Sequence, residues 1–208
     1  MNRMEILNYI IENRGYSSLL EIGVWGGRSN PAHNKIVCEN KVGVDPDTKF
    51  SGDSVVPWTS DQYFEFLYSY TNGVNFDLIF IDGLHLEEQV DKDIENALNF
   101  LSDGGLIMLH DCSPLHEDRA TEDFNPTAWN GTLYKSIVKL RCGNPDMYIE
   151  TVDSDHGCAI IDPLGKQDVF SLVSQDNLLN DFSVFDKHRT EVLNLISVDE
   201  FEERYKNE

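Results

Sequence analysis

FDLIFIDGLHLEEQVDKDIENALNFLSDGGLIMLHD, residues 76–111, is the stretch whose reading decides the fold. Residues 76–82 form an almost unbroken apolar run that ends in an acid, as expected of a strand buried on both faces of a parallel sheet. Leu86, Val90, Ile94, Ala97, Leu98 and Leu101 then recur at the helical period with acids on the other side, which predicts an amphipathic helix. Asp103-Gly104-Gly105 turns the chain into Leu106-Ile107-Met108-Leu109, a second apolar strand ending at His110-Asp111. A strand, a helix and a strand in this order make a right-handed crossover unit.

The same alternation extends upstream. Met4, Leu7, Ile10 and Ile11 predict a lead-in helix that stops at Arg14-Gly15, within residues 1–17. Leu19 to Val24 reads as a first strand entering a glycine turn. Pro31 suits the first turn of a helix reaching about Cys38, because a missing N–H costs nothing there. Residues 41–45, KVGVD, give a second strand and 54–56 a short third, after which Ser60 or Asp61 caps a helix containing Phe64 and Leu67. Strands alternating with helices predict a parallel sheet covered on both faces. Downstream, 116–126 reads as a polar loop, 132–141 as a helix, 148–152 and 158–161 as strands around a turn at 154–157, and 182–195 and 200–205 as helical patches. The expectation is one domain over 1–208, with a sheet core at 18–161 and a helical extension at 162–208.

Composition excludes several classes. Thirty-seven Asp and Glu against 16 Lys and Arg give a net charge of −21, and no basic cluster offsets it. Nucleic-acid binding rests on such clusters, so a nucleic-acid substrate is not expected. Cys38, Cys112, Cys142 and Cys158 form no CxxC pair and the first fifteen residues are too polar for a secretory signal, which points to a reducing cytoplasm. No apolar run is long enough to cross a bilayer, so no membrane anchor is expected. A homodimer is the default assembly for a compact enzyme.

Two motifs point to a cofactor. Glu21-Ile22-Gly23-Val24-Trp25-Gly26-Gly27 lies at a strand-to-helix turn, where glycines let backbone N–H groups approach a ligand and the acid can accept hydrogen bonds. Val42-Gly43-Val44-Asp45 puts a second acid at the end of the next strand, about twenty residues on, where a carboxylate can receive both hydroxyls of a ribose. A tight turn and a turn-initiating Asp before Pro46 account for the same residues structurally. Together the motifs suit an adenosine cofactor without separating a nicotinamide from a sulfonium.

The runs LLEIGVWGGRS, VGVDP, FDLIFIDGLHLEEQVDKDIENAL and GGLIMLHDCSP, in this order over residues 18–161, resemble class I S-adenosylmethionine-dependent methyltransferases, and more narrowly the small bacterial sugar and macrolide O-methyltransferases. That resemblance implies a Rossmann-like α/β sheet of seven strands, mostly parallel with the last antiparallel. It implies that Glu21, Gly23 and Gly26 contact the methionine part of S-adenosylmethionine, that Asp45 binds its ribose, and that Ser60 and Asp61 lie near the adenine. Asp82 occupies the position of a catalytic acid in those enzymes and is expected to contact the cofactor as well.

A last constellation sets Asp82, Gly83, Leu84 and His85 against His110 and Asp111. Neighbouring parallel strands lie about 4.8 Å apart, so these side chains can meet over one cleft. Asp82, His85 or His110 would act as base, and Asp82 with Asp111 could hold a divalent cation such as Mg, although metal-dependent relatives carry acids where this chain has Leu84 and His110. Trp129-Asn130-Gly131 and the turn with Asp153, Asp155 and His156 could line an acceptor pocket or be purely structural. The expected activity is methylation of a hydroxyl on a small molecule, such as a sugar or glycosylated metabolite. A nucleotide-sugar or nicotinamide-dependent oxidoreductase is the alternative within enzymes, but the turn reads GVWGG rather than GxGxxG and no YxxxK follows. A catalytically silent nucleoside-binding protein is the alternative outside them.

Overall fold

The computed structural model describes residues 1–24, 32–47, 54–71 and 73–206. Eight strands form one sheet: β1 (Ser18–Ile22), β2 (Asn40–Val44), β3 (Val55–Val56), β4 (Phe76–Ile81), β5 (Leu101–Leu109), β6 (Tyr148–Val152), β7 (Cys158–Asp162) and β8 (Leu195–Ile196). Their spatial order is β3-β2-β1-β4-β5-β7-β6-β8. Strand β7 runs antiparallel to both its neighbours, and the remaining pairs are parallel. The helices are α1 (Arg3–Arg14), α2 (Ser60–Tyr70), α3 (Glu87–Asn99), α4 (Tyr134–Gly143), α5 (Gln175–Asn180), α6 (Phe182–Val192) and α7 (Val198–Tyr205).

The strands are continuously apolar because both faces are covered. Ile79, Ile81, Ile107 and Leu109 pack with Phe64, Val90, Ile137 and Phe185, residues of α2, α3, α4 and α6. Their alternates Leu78, Phe80, Leu106 and Met108 pack on the opposite side with Leu7 and Ile10 of α1 and Phe201 of α7. The two-residue period of a strand thus sorts one apolar run into two cores.

The Rossmann-like α/β sheet is the expected one, with several local corrections. Among the described residues there are eight strands rather than seven, because Leu195-Ile196 leaves the predicted 182–195 helix and pairs beside β6. The antiparallel strand is therefore the seventh and not the last. Leu101, placed in the helix by its spacing, begins β5 opposite Phe76, and Asp103-Gly104-Gly105 lies inside that strand where its register shifts. Thr59, not Ser60 or Asp61, caps α2, in a capping box with Gln62. The helix expected from Pro31 to Cys38 is a 3₁₀ turn, Ala32–Lys35, and Pro31 lies outside the described residues. Helix α5 was not anticipated.

Strand order reverses between β1 and β4, the point at which an open α/β sheet leaves a crevice beyond its carboxyl ends. At that seam the Asp82 N–H donates to the Ile22 carbonyl at 2.8 Å. Gly23 has φ +86°, and a Cβ there would collide with the Asp82 carbonyl, so only glycine lets the two strand ends close together.

Candidate active site

Over the seam lies a cavity of about 510 Å³, lined by Gly23 and Val24 after β1, Asp45 and Pro46 after β2, Ser60 and Asp61 at the start of α2, and Asp82, Gly83 and Leu84 after β4. Asp45 Oδ2 accepts the Val24 N–H at 2.9 Å and Oδ1 accepts the Asp47 N–H at 2.7 Å, which holds this acid at the edge of the cavity. Gln89 of α3 donates to Asp61 Oδ1 at 3.0 Å and Ser60 Oγ at 3.2 Å, closing the far wall. Six of the seven residues expected around the cofactor are described, and five of them line this one cavity: Gly23, Asp45, Ser60, Asp61 and Asp82.

The sixth is Glu21, whose side chain is placed elsewhere. It is buried against His33 of the 3₁₀ turn, whose Nδ1 meets Glu21 Oε2 while its Nε2 lies 3.1 Å from Ser54 Oγ. Burial pushes the Glu21 carboxyl above its ordinary range and the His33 contact opposes that shift. Gly26 lies outside the described residues.

Across Asp82 from the first cavity stands a cluster of three acids and three bases. His110 Nδ1 lies 3.1 Å from Asp82 Oδ1 and 3.5 Å from Asp111 Oδ2, and its Nε2 lies 3.5 Å from Asp155 Oδ2. His85 bridges the same acids, with Nε2 3.3 Å from Asp82 Oδ1 and Nδ1 3.3 Å from Asp111 Oδ2. Arg3 completes the group: its Nε lies 3.2 Å from Asp82 Oδ2, and its backbone N–H donates to Asp155 Oδ2 at 2.8 Å. Burial works against a charge on His110, yet contact with Asp111, Asp155 and Asp82 outweighs it and pushes the pKa up to about 11. Burial likewise opposes ionisation of Asp82, but hydrogen bonds from His110 and His85 hold its carboxyl well below the usual carboxylate range.

The loop before α4 clasps this cluster. Trp129 stacks on His85, the buried Asn130 donates to Asp111 Oδ1 at 2.7 Å, and Gly131, at φ +67°, lets the backbone approach so that the Thr132 N–H donates to the His85 carbonyl at 2.8 Å. Asp111 itself has φ 61°, and Asp155 and His156 have φ 49° and 67°, conformations that non-glycine residues seldom adopt. Of the later turn, Asp155 joins the cluster and His156 lines a cavity beside it, whereas Asp153 does neither. Arg3 carried no signal in the sequence: it is an ordinary helix-start residue until the fold brings it against Asp155 and Asp82.

One donor atom each from Asp82, His85 and Asp111 lies within 4.8 Å of the others, a spacing that fits a cation. Two carboxylates and one imidazole suit a hard divalent ion such as Mg or Mn. Two further cavities open on the cluster. One, of about 350 Å³, is lined by Arg3, Asp82, Gly83, His85, Phe124 and Trp129 among others. The second, of about 290 Å³, includes His110, Asp111, Arg119, Thr127, Trp129 and His156. The four cysteines are free, and among the described residues no helix is long and apolar enough to cross a membrane.

Comparison with known proteins agrees with this fold. Residues 20–112 match the family model described as a methyltransferase domain. The O-methyltransferase of Bacillus cereus, in complex with SAH, superposes with a TM-score of 0.56 at 16% identity, over 77% of this chain and 80% of that one. TomG of Streptomyces achromogenes, an O-methyltransferase involved in tomaymycin synthesis and bound to SAM, gives 0.56 at 14% identity over 78% and 80%. MycE, from the mycinamycin biosynthetic pathway in complex with Mg, SAH and mycinamycin VI, gives 0.50 at 15% identity over 80% of this chain and 50% of that one. No curated protein matches the chain by sequence. The matched segment carries most of β1, all of β2, β3, β4 and β5, and the acids Asp45, Asp82 and Asp111, so that residues 20–112 are similar to the methyltransferase-domain family and the chain shares the fold of these S-adenosylmethionine-dependent enzymes.

Proposed function

We propose that this chain moves the methyl group of S-adenosylmethionine to a hydroxyl oxygen of a small-molecule acceptor, a sugar or glycosylated metabolite being the favoured class. One observation carries the reading. Asp82 and Gly83 line both the cavity that ends at Asp45 and the cavity that opens on His85, so a donor and an acceptor bound in the two would meet at that shared wall. Asp45 would take the ribose hydroxyls, Ser60 and Asp61 would flank the adenine, and Gly23 would border the methionine end.

In the transfer the acceptor oxygen forms a bond to the methyl carbon as the carbon–sulfur bond breaks, and sulfur keeps that electron pair as a neutral thioether. The hydroxyl proton must go to a base. His110, held as imidazolium by three carboxylates, serves poorly as an acceptor of that proton. His85 is the better candidate: it faces the acceptor cavity and has Asp82 and Asp111 beside its two nitrogens to stabilise the cation it becomes. Asp82, kept anionic, orients both imidazoles. A divalent cation held by Asp82, His85 and Asp111 would instead lower the pKa of a coordinated hydroxyl, with His85 then a ligand and not the base. The net charge of −21 favours a small acceptor over a nucleic acid.

Calorimetric titration with S-adenosylhomocysteine tests the donor half: saturable binding is expected, weakened by Asp45→Ala about tenfold or more. Radiolabelled S-adenosylmethionine with a panel of hydroxylated acceptors tests transfer. Absence of any heat with either form of the cofactor would overturn the reading.

A further inference from the structure

The charges of the cluster answer one another, and one neighbouring cation is left over. Arg3 faces Asp82 and Asp155, and His110 and His85 stand between Asp82 and Asp111. Asp111, which also lines the 290 Å³ cavity, has Oδ1 taken by Asn130 and Oδ2 facing the two imidazoles. Arg119 lines that same cavity, and among the described residues it has no acidic partner and no side-chain hydrogen bond. The neighbouring Glu117 and Asp118 are exposed. The place of Arg119 is fixed by its own backbone, whose carbonyl accepts the N–H groups of Asn130 and Gly131 at 2.9 and 3.0 Å, the same residues that clasp Asp111 and His85.

A guanidinium that is always charged, set in a recess, presents a planar fork of donors suited to a carboxylate or phosphate. His156 lines the recess beside it and is exposed, adding a second imidazole edge. The recess shares His110, Asp111, Thr127, Ala128 and Trp129 with the cavity that opens on His85, so one ligand can span both. The chain's net charge of −21 repels anions at long range, but salt screens that field beyond roughly 8 Å, while the contact with Arg119 is local.

We propose that the acceptor carries an anionic group, which Arg119 binds in the recess while the hydroxyl to be methylated lies at His85. This rests on the methyl-transfer reading above and narrows its substrate class to acidic hydroxylated molecules such as uronic acids or sugar phosphates.

The test uses the full chain saturated with S-adenosylhomocysteine and titrated with D-glucuronate, D-glucose 6-phosphate or D-glucose, binding being read by saturation-transfer NMR and calorimetry. At least one acid is expected to bind about tenfold or more tighter than glucose, and which acid it is separates carboxylate from phosphate. Arg119→Gln should abolish that preference without changing affinity for S-adenosylhomocysteine, and Arg119→Lys should restore part of it. Acids that bind no tighter than glucose, or a preference untouched by Arg119→Gln, would overturn the proposal. Failure of S-adenosylhomocysteine to bind at all would instead strike the methyl-transfer reading.

Discussion

His85 and Trp129 lie face to face, ring centroids 5.4 Å apart and planes 11° from parallel. The indole is itself anchored, its Nε1–H donating to the Thr121 carbonyl at 2.8 Å. An imidazole held between an aromatic plate and two carboxylates keeps one orientation, which is what a proton acceptor needs when the acceptor oxygen arrives.

Trp129→Ala should release that ring. Methyl transfer is expected to fall by about ten- to a hundredfold, with affinity for S-adenosylhomocysteine unchanged, because Trp129 lines the acceptor cavities and not the donor one. Trp129→Phe should keep most of the rate. An equal loss in cofactor affinity would show that the plate supports the whole site instead.

Asp93 makes stability depend on pH. It is buried on α3, where desolvation raises its pKa from 3.8 to about 6, against hydrogen bonds from Ser60 and Gln89. A folded-state pKa above the unfolded one favours the fold fully below pH 3.8, and that contribution is lost as the pH climbs through about 6. Above that range the fold carries a buried charge at a cost of up to about 3 kcal/mol. Asp93→Asn retains an oxygen for the Gln89 Nε2 donor, now 3.1 Å away. It should therefore melt several degrees higher than the native chain at pH 8, and the gain should vanish below pH 4. An unchanged or lower melting temperature at pH 8 would refute this.

Titration with Mn²⁺, followed by electron paramagnetic resonance, checks the cation. One bound ion is expected on the protein loaded with S-adenosylhomocysteine, and Asp111→Asn should weaken it by about tenfold or more, since a carboxylate oxygen is exchanged for a neutral one. A spectrum of free Mn²⁺ throughout would refute the cation site and leave His85 free to act as the base.

The run 76–111 was legible because its signals are local. Leu78 to Ile81 are apolar at every position, a pattern only a strand covered on both faces tolerates, and Val90, Ile94 and Ala97 trace one helical face. Strand ends were legible for the same reason: Asp45 and Asp82 each break an apolar run where the chain leaves the sheet. Leu101 and Leu195 misled, since each continues a helical spacing, and only pairing with Phe76 and with Thr151 makes them strand residues. Asn194, with φ 49°, lies where α6 has already ended at Val192.

The sequence by itself determined that this chain builds a parallel sheet with Asp45, Asp82 and Asp111 along one edge, because periodicity and strand-ending acids act over a few residues. Tertiary structure alone decided how those acids are answered. Arg3 reaches Asp155 across 152 positions, His33 covers Glu21, and the loop at 129–131 closes on His85 and Asp111. Electrostatic partnership depends on distance in space and on burial, and neither is written in the spacing of residues along the chain.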